Sequence, residues 1–140
     1  METAEHIRSV LKDQSRGASI QDDYVNELLA ALEPDEEVLW SVSYANMQQK
    51  FGPLAMLTVT SRRLISQESA GRSGNSMAEL TLDDVLSALD MTTKPLFGLM
   101  TRHELHVLTT AGHLVWKDLP DASVAAAVDA IDTAKAATAA

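Results

Sequence analysis

Seven short segments between Val38 and Lys117 have the composition of β-strands and are separated by turn residues at hairpin spacing. β-Branched and aromatic residues in partial two-residue alternation favour strands, and short links between them favour antiparallel neighbours. An open sheet leaves unpaired strand edges, and closing the sheet removes them. The sequence therefore predicts a mainly β fold in which seven antiparallel strands curl into a barrel. The segments are residues 38–44, 54–60, 63–67, 77–82, 85–91, 104–109 and 113–117.

Helical patterns flank this strand-rich region on both sides. Apolar residues recur at helical spacing over residues 4–13 and 20–32, so two amphipathic helices are expected ahead of the strands. A last helix is expected to start near Pro120, because proline is tolerated in the first helical turn. Its narrow apolar stripe suits a helix that caps one end of the barrel. We therefore predict an N-terminal helical extension over residues 1–34 and one domain, including its capping helix, over residues 35–140.

Four stretches of the sequence follow, in order, the pattern of one protein family. They are Leu32–Leu39, Leu57–Ile65, Leu80–Val85 and Leu105–Gly112. With these stretches, residues 36–133 resemble the bacterial pleckstrin-homology-like domains grouped as YokE-like. The resemblance implies a seven-stranded barrel of two nearly orthogonal antiparallel sheets with a C-terminal capping helix. It implies little about function by itself, because one fold hosts many functions, although bacterial members resemble homo-oligomers more often than lipid sensors.

Charge is distributed unevenly along the chain, whose formal net charge is −9. Such a charge repels phosphate backbones and anionic membrane surfaces at long range. It argues against nucleic acid as a partner and disfavours a membrane surface. Residues 46–72 are nevertheless mildly basic, and the guanidinium group is suited to bind phosphate or carboxylate. The candidate anion-binding residues are Lys50, Arg62, Arg63 and Arg72.

The basic residues match only part of a known lipid-binding pattern. Pleckstrin-homology domains that bind phosphoinositides resemble one another in a Lys in the first hairpin loop and a basic-x-Arg pattern in the second strand. Lys50 stands in the corresponding loop, but the second strand, residues 54–60, contains no base. The alternative is structural: Arg62 is a solvated turn residue and Arg63 pairs with a surface acid. Both interpretations stay open on the sequence alone.

The histidines and acids do not form a pattern that predicts catalysis or metal binding. His103 and His106 are three residues apart on a predicted strand, where alternation places them on opposite faces. His113, across the next hairpin, is expected to approach one of them but not both. Asp83 and Asp84 are adjacent and suit a turn. The chain has no cysteine and no glycine-rich phosphate cradle. We therefore predict no catalytic residue, no metal and no cofactor.

The second predicted helix carries an apolar stripe made of Tyr24, Leu28 and Leu32. This stripe is expected to pack either on its own barrel or on a neighbouring subunit, and both alternatives stay open. The predicted function is a non-enzymatic interaction module that binds a protein partner or a second copy of itself. The alternative is binding of an anionic ligand or membrane surface through the basic region. The N-terminus lacks the apolar core of a signal peptide, so a cytoplasmic location is expected.

Overall fold

The computed structural model describes residues 2–14, 22–45, 54–69, 75–93, 102–117, 119 and 123–139. The helices and strands occur in the predicted order, and all seven predicted strands are present. The helices are α1 (Ala4–Gln14), α2 (Asp22–Ala31) and α3 (Ser123–Ala139). The strands are β1 (Val38–Ala45), β2 (Leu54–Thr60), β3 (Arg63–Ser69), β4 (Asn75–Thr81), β5 (Val85–Thr93), β6 (Arg102–Thr109) and β7 (Gly112–Trp116).

The strands form two antiparallel sheets. The first sheet has the order β1-β2-β3-β4 and the second sheet has the order β5-β6-β7, so every strand pairs with its neighbour in sequence. Threonines that end strands shape two of the hairpins. Thr60 Oγ1 accepts hydrogen bonds from the backbone N–H groups of Arg62 and Arg63, at 3.1 and 3.0 Å. Thr109 makes the equivalent bond to Gly112, whose φ of +148° suits a residue without a Cβ.

The expectation of a closed barrel is wrong for the described residues, because no strand of the first sheet pairs with one of the second. After Thr81 the chain passes through one turn of 3-10 helix, Leu82–Asp84, before β5 begins. The turn interrupts strand pairing at this corner of the fold. A side chain of α3 donates hydrogen bonds to backbone carbonyl groups there. Lys135 Nζ donates to Leu82 O at 3.4 Å and also to Val85 O.

The main hydrophobic core lies between the two sheets and under α3. Alternate residues of each strand point into it, including Trp40 and Leu57 of the first sheet and Val107 of the second. Helix α3 contributes Val124 and Ile131 to this core and contacts strands of both sheets. The predicted C-terminal helix is therefore present and packs on both sheets, although the barrel that it was expected to cap is not closed. Among the described residues, no helix has the length and apolar character needed to cross a membrane.

A second core covers the outer face of the first sheet. Helices α1 and α2 pack there, and Leu11 and Leu28 from the helices meet Met56 and Ile65 from the strands. A register shift between Val38 and Trp40 lets Val38 join this outer core while the rest of β1 directs its large side chains inward. Both faces of the first sheet are therefore buried within one chain over strands β1 to β3, whereas residues 76–79 of β4 are exposed.

Helix α1 also covers one edge of the first sheet. Glu2 accepts a hydrogen bond from the backbone N–H of Val38, and His6 Nε2 donates to Val38 O at 3.2 Å. These are the backbone groups at which another strand would add to β1. The same residues line a cavity of about 450 Å³ between α1 and β1. The N-terminal segment therefore protects an edge that the open arrangement of the sheets would leave exposed.

Replacing Leu28 with alanine tests whether the helices belong to the folded unit. Leu28 is fully buried, so Leu28→Ala is expected to lower the free energy of unfolding by about 2–5 kcal/mol. Urea unfolding should remain a single transition, because the helices share a core with the first sheet. The control is Met77→Ala, whose side chain is 38% exposed and whose loss should cost less than about 1 kcal/mol. An unchanged main transition in Leu28→Ala would mean that residues 1–34 fold separately.

Candidate functional site

A buried ion pair joins the C-terminal end of α2 to the first sheet. The Glu36 side chain is 0% exposed and the Arg63 side chain is 16% exposed. Arg63 Nε and Nη2 donate to the two carboxylate oxygens of Glu36 at 2.9 and 2.8 Å, which is a bidentate pair. Arg63 also donates to Ala31 O at 2.6 Å and to Glu79. Its guanidinium group is thus surrounded by acceptors of its own chain.

The hydrogen bonds around Glu36 control its ionisation. Burial alone would raise the pKa of this carboxyl group, but the hydrogen bonds from Arg63, Thr60 and the backbone N–H of Glu33 outweigh burial and lower it. The same interaction raises the pKa of Arg63 above its usual value. The pair is therefore charged under ordinary conditions, and its role in this fold is to hold α2 on the sheet.

The other candidate anion-binding residues do not join Arg63 at an open site. Arg62 is exposed at the β2–β3 turn and pairs with Asp35, which is also exposed. Lys50 and Arg72 lie outside the described residues. Arg63 therefore fits the interpretation in which it pairs with an acid of its own chain, except that this acid, Glu36, is buried and does not lie at the surface. Within the described part of the chain, the two predicted arginines each face a carboxylate.

The apolar stripe of α2 packs inside its own chain. Tyr24 is 2% exposed and Leu28 is 0% exposed, both against the outer face of the first sheet. Leu32, just after α2, is partly buried against the same cluster. Gln67 Nε2 donates to Tyr24 O at 2.9 Å and fixes the helix at that point. In this structure the stripe is therefore used within the chain, which leaves Tyr24 and Leu28 out of reach of a second copy.

The outer face of the second sheet carries exposed apolar side chains and has no cover among the described residues. By register, Leu89, His106 and Val115 form its central row across the three strands. Met91 and Leu108 lie on the two flanking rows of the same face. Each of the four apolar side chains is between 38% and 46% exposed. Leu86, at an irregularity in β5, is also exposed, whereas Leu114 of the edge strand β7 pairs with the inward-facing Val107 and belongs to the other side of the sheet.

A chain of three polar side chains runs through the centre of this outer face. His106 Nε2 lies 2.9 Å from Glu104 Oε1, and His106 Nδ1 lies 2.9 Å from His113 Nε2. The two imidazole rings are tilted against each other with centroids 5.0 Å apart. The expectation that His113 would approach one of the two β6 histidines is confirmed by this contact. Among the described residues no group of acids and histidines has the geometry to hold a metal ion.

The sequence interpretation did not find this outer face, although a signal for it exists. A strand with one buried face should alternate apolar and polar residues. Strand β7 instead contains Leu114, Val115 and Trp116 in succession, and β5 contains apolar residues on both faces. Apolar side chains on both faces of a strand indicate that both faces need cover.

Comparison with solved structures finds a similar overall fold in two proteins from Shewanella. A DUF1696-family protein with a pleckstrin-homology domain from Shewanella loihica PV-4 matches with a TM-score of 0.58 and 17% identity, over 83% of this chain and 94% of that one. A pleckstrin-homology domain from Shewanella amazonensis SB2B matches with a TM-score of 0.54 and 20% identity, over 81% of this chain and 88% of that one. No family description and no curated protein sequence matches the chain.

The chain therefore has the fold of a bacterial pleckstrin-homology-like domain, as its sequence motifs suggested. At these identities the likeness concerns the fold. Pleckstrin-homology folds, like other widespread folds, carry their functions in sites that differ from one protein to the next. Any binding site of this chain must accordingly be inferred from its own surface.

Replacing Glu36 with glutamine tests the buried pair. Glu36→Gln is expected to lower the free energy of unfolding by about 3 kcal/mol at neutral pH, because Arg63 loses its main partner. The folded-state pKa of Glu36 is lowered, so its contribution is present above the unfolded value of about 4.3 and is lost as the pH falls through the folded value. The difference between wild type and variant in urea unfolding should therefore shrink in acid.

The control is the exposed neighbouring acid. Glu37→Gln should change the free energy of unfolding by less than about 0.5 kcal/mol at every pH, because the Glu37 side chain is exposed. A Glu36→Gln penalty that stays constant from neutral pH to strong acid would contradict an ionised Glu36.

Proposed function

We propose that this chain is a non-enzymatic interaction module that associates with a second copy of itself through the outer face of the second sheet. The observation that carries the proposal is the row of exposed apolar side chains on that face, with Leu89 and Val115 at its centre. Contiguous exposed apolar surface costs free energy in water and marks interaction sites in folded proteins.

The contrast between the two sheets supports this surface over others. The first sheet has an apolar outer face too, but α1 and α2 bury it within the chain. The second sheet has a comparable outer face, and among the described residues no helix covers it. A partner protein that packs on the second sheet would complete the burial that α1 and α2 give the first sheet.

Charge limits where a second copy of the chain can bind. The chain carries 20 acids and a formal net charge of −9, so two copies repel each other over most of their surfaces. On the three described rows of the outer face, Glu104 is the one carboxylate. This face is therefore where two such acidic molecules meet with the least repulsion.

The polar chain on the face is also complementary to itself. Glu104 lies in the Met91 row and His113 lies in the Leu108 row, on opposite sides of the central row. A two-fold axis that lies in the interface and runs along the central row exchanges the two flanking rows. Each carboxylate is then directed towards the row that holds the other copy's imidazole. Such pairing of a patch with itself is the form that symmetric dimers take.

Anion or membrane binding through the basic region has less support. Arg63 is committed to Glu36, and Arg62 pairs with Asp35. An anionic headgroup would have to displace a carboxylate from either arginine and also approach a strongly acidic protein. Lys50 and Arg72 remain candidates from the sequence.

A charge on the outer face should prevent self-association. Leu89→Glu places a carboxylate in the central row of both copies, so we expect a dissociation constant at least ten-fold higher than that of wild type. Light scattering and sedimentation over a range of concentrations measure it. Raising the salt concentration to about 0.5 M should strengthen wild-type association, because it screens the repulsion between two acidic molecules.

The matched control is Met77→Glu, at a similarly exposed apolar residue of the first sheet. This variant should associate like wild type. A wild-type chain that stays a strict monomer at every concentration would refute self-association, and equal weakening by both variants would place the contact elsewhere.

The membrane alternative is tested with vesicles that contain phosphatidylserine. We expect no binding in a sedimentation assay at low salt, where attraction to an anionic surface would be strongest. Binding that weakens with salt and is lost in Arg62→Glu would support the alternative. Arg62 is the residue to change, because Arg63→Glu would leave Glu36 buried beside a second acid and would unfold the protein.

A further inference from the structure

The polar chain Glu104–His106–His113 lies inside the apolar surface that the proposed function assigns to a second copy. Histidine side chains ordinarily gain or lose a proton between about pH 5 and pH 8, whereas the surrounding Leu89, Val115 and Met91 do not titrate. Titratable groups at the centre of an apolar contact make that contact depend on their protonation. The outer face therefore contains the elements of a pH-dependent interface.

The hydrogen bonds restrict how many protons the three groups hold. A carboxylate only accepts, so His106 carries a proton on Nε2 and donates it to Glu104. A neutral His106 then accepts at Nδ1 from His113 Nε2–H, across 2.9 Å. One added proton is also accommodated, because the contact between the two rings still contains a single hydrogen.

A second added proton breaks the arrangement. With both rings charged, His106 Nδ1 and His113 Nε2 each carry a hydrogen and face each other across the same contact. The rings must separate, and two positive charges then stand against one negative charge in the middle of the apolar face. Burying this unbalanced charge against a second copy is unfavourable.

The other charged groups near the pair do not compensate for these charges. On β5 the facing outer residues are Ser87, Leu89 and Met91, which carry no charge. Helix α3 packs on the inner side of the sheet. Asp90 and His103 belong to the inward rows by register, and Lys117 is exposed just after β7. Lys117 is positively charged at neutral and acid pH, so it does not offset the charge of the two protonated histidines.

We propose that protonation of both His106 and His113 separates the two copies of the chain. This inference rests on the proposed self-association and adds its regulation. Association is strong while the pair holds at most one added proton, and it is lost when the second proton enters. Self-association thus becomes a response to acidification.

Sedimentation at about pH 7.5 and about pH 5.5 tests the proposal, since this interval covers ordinary histidine titration. The wild-type dissociation constant is expected to rise at least ten-fold in acid. His113→Gln keeps a donor for His106 but takes up no proton, so this variant should associate equally at both pH values. The control His103→Gln changes a histidine of the same strand on the opposite face and should keep the wild-type response.

An independent measurement follows the histidines themselves. Imidazole ¹⁵N signals of the wild-type chain at about pH 7.5 should show that His106 carries its proton on Nε2 and not on Nδ1, as donation to Glu104 and acceptance from His113 require. In His113→Gln the tautomer of His106 should be the same, because the glutamine amide still donates a hydrogen bond. A proton on Nδ1 of a neutral His106 would overturn the assigned hydrogen bonds.

The outcomes separate this inference from the proposed function. A dimer with the same dissociation constant at both pH values overturns the histidine mechanism and leaves self-association standing. A monomer at both pH values overturns both. Acid dissociation that persists unchanged in His113→Gln overturns the histidine mechanism too, because the loss would then come from other groups or from unfolding.

Discussion

The bidentate pair of Glu36 and Arg63 determines which surface of this protein is left uncovered. Arg63 lies at the start of β3 and donates hydrogen bonds to Ala31 O at the end of α2 and to Glu36 a few residues later. The helix therefore cannot leave the outer face of the first sheet without leaving a buried charge unpaired. A pair of this kind adds little net stability over an apolar contact, but breaking one half is costly. Its effect here is to specify the position of α2.

That position makes the two sheets unequal. Strands β1 to β3 of the first sheet are buried on both faces, between the main core and the helices, and the side chains of Glu2 and His6 form hydrogen bonds with the backbone of Val38 at the edge of the sheet. The second sheet is buried on one face. Its outer face has the same apolar character, with histidines at the centre instead of more aliphatic residues. The proposed self-association and its response to acid both follow from this inequality.

Much of the fold could be predicted from local pattern. The seven strands, the three helices and the two hairpins that end in Thr60 and Thr109 follow from residue periodicity and turn chemistry. The open arrangement of the two sheets could not be predicted in this way, because it depends on the 3-10 turn at Leu82–Asp84, which interrupts strand pairing, and on Lys135 from α3, which donates to Leu82 O. The role of Arg63 was equally hidden, since its partner Glu36 lies in another element.

The sequence by itself determined the order and type of the elements, because each of these depends on neighbours a few residues away. It also determined that two of the three β-sheet histidines, His103 and His106, face opposite ways. Only the tertiary structure decided which apolar stripe is inside and which is outside. The stripe of α2 and the outer residues of β5 to β7 have similar local composition, and burial depends on what packs across them in space. Tyr24 and Leu28 are buried against the first sheet, whereas Leu89 and Val115 remain exposed.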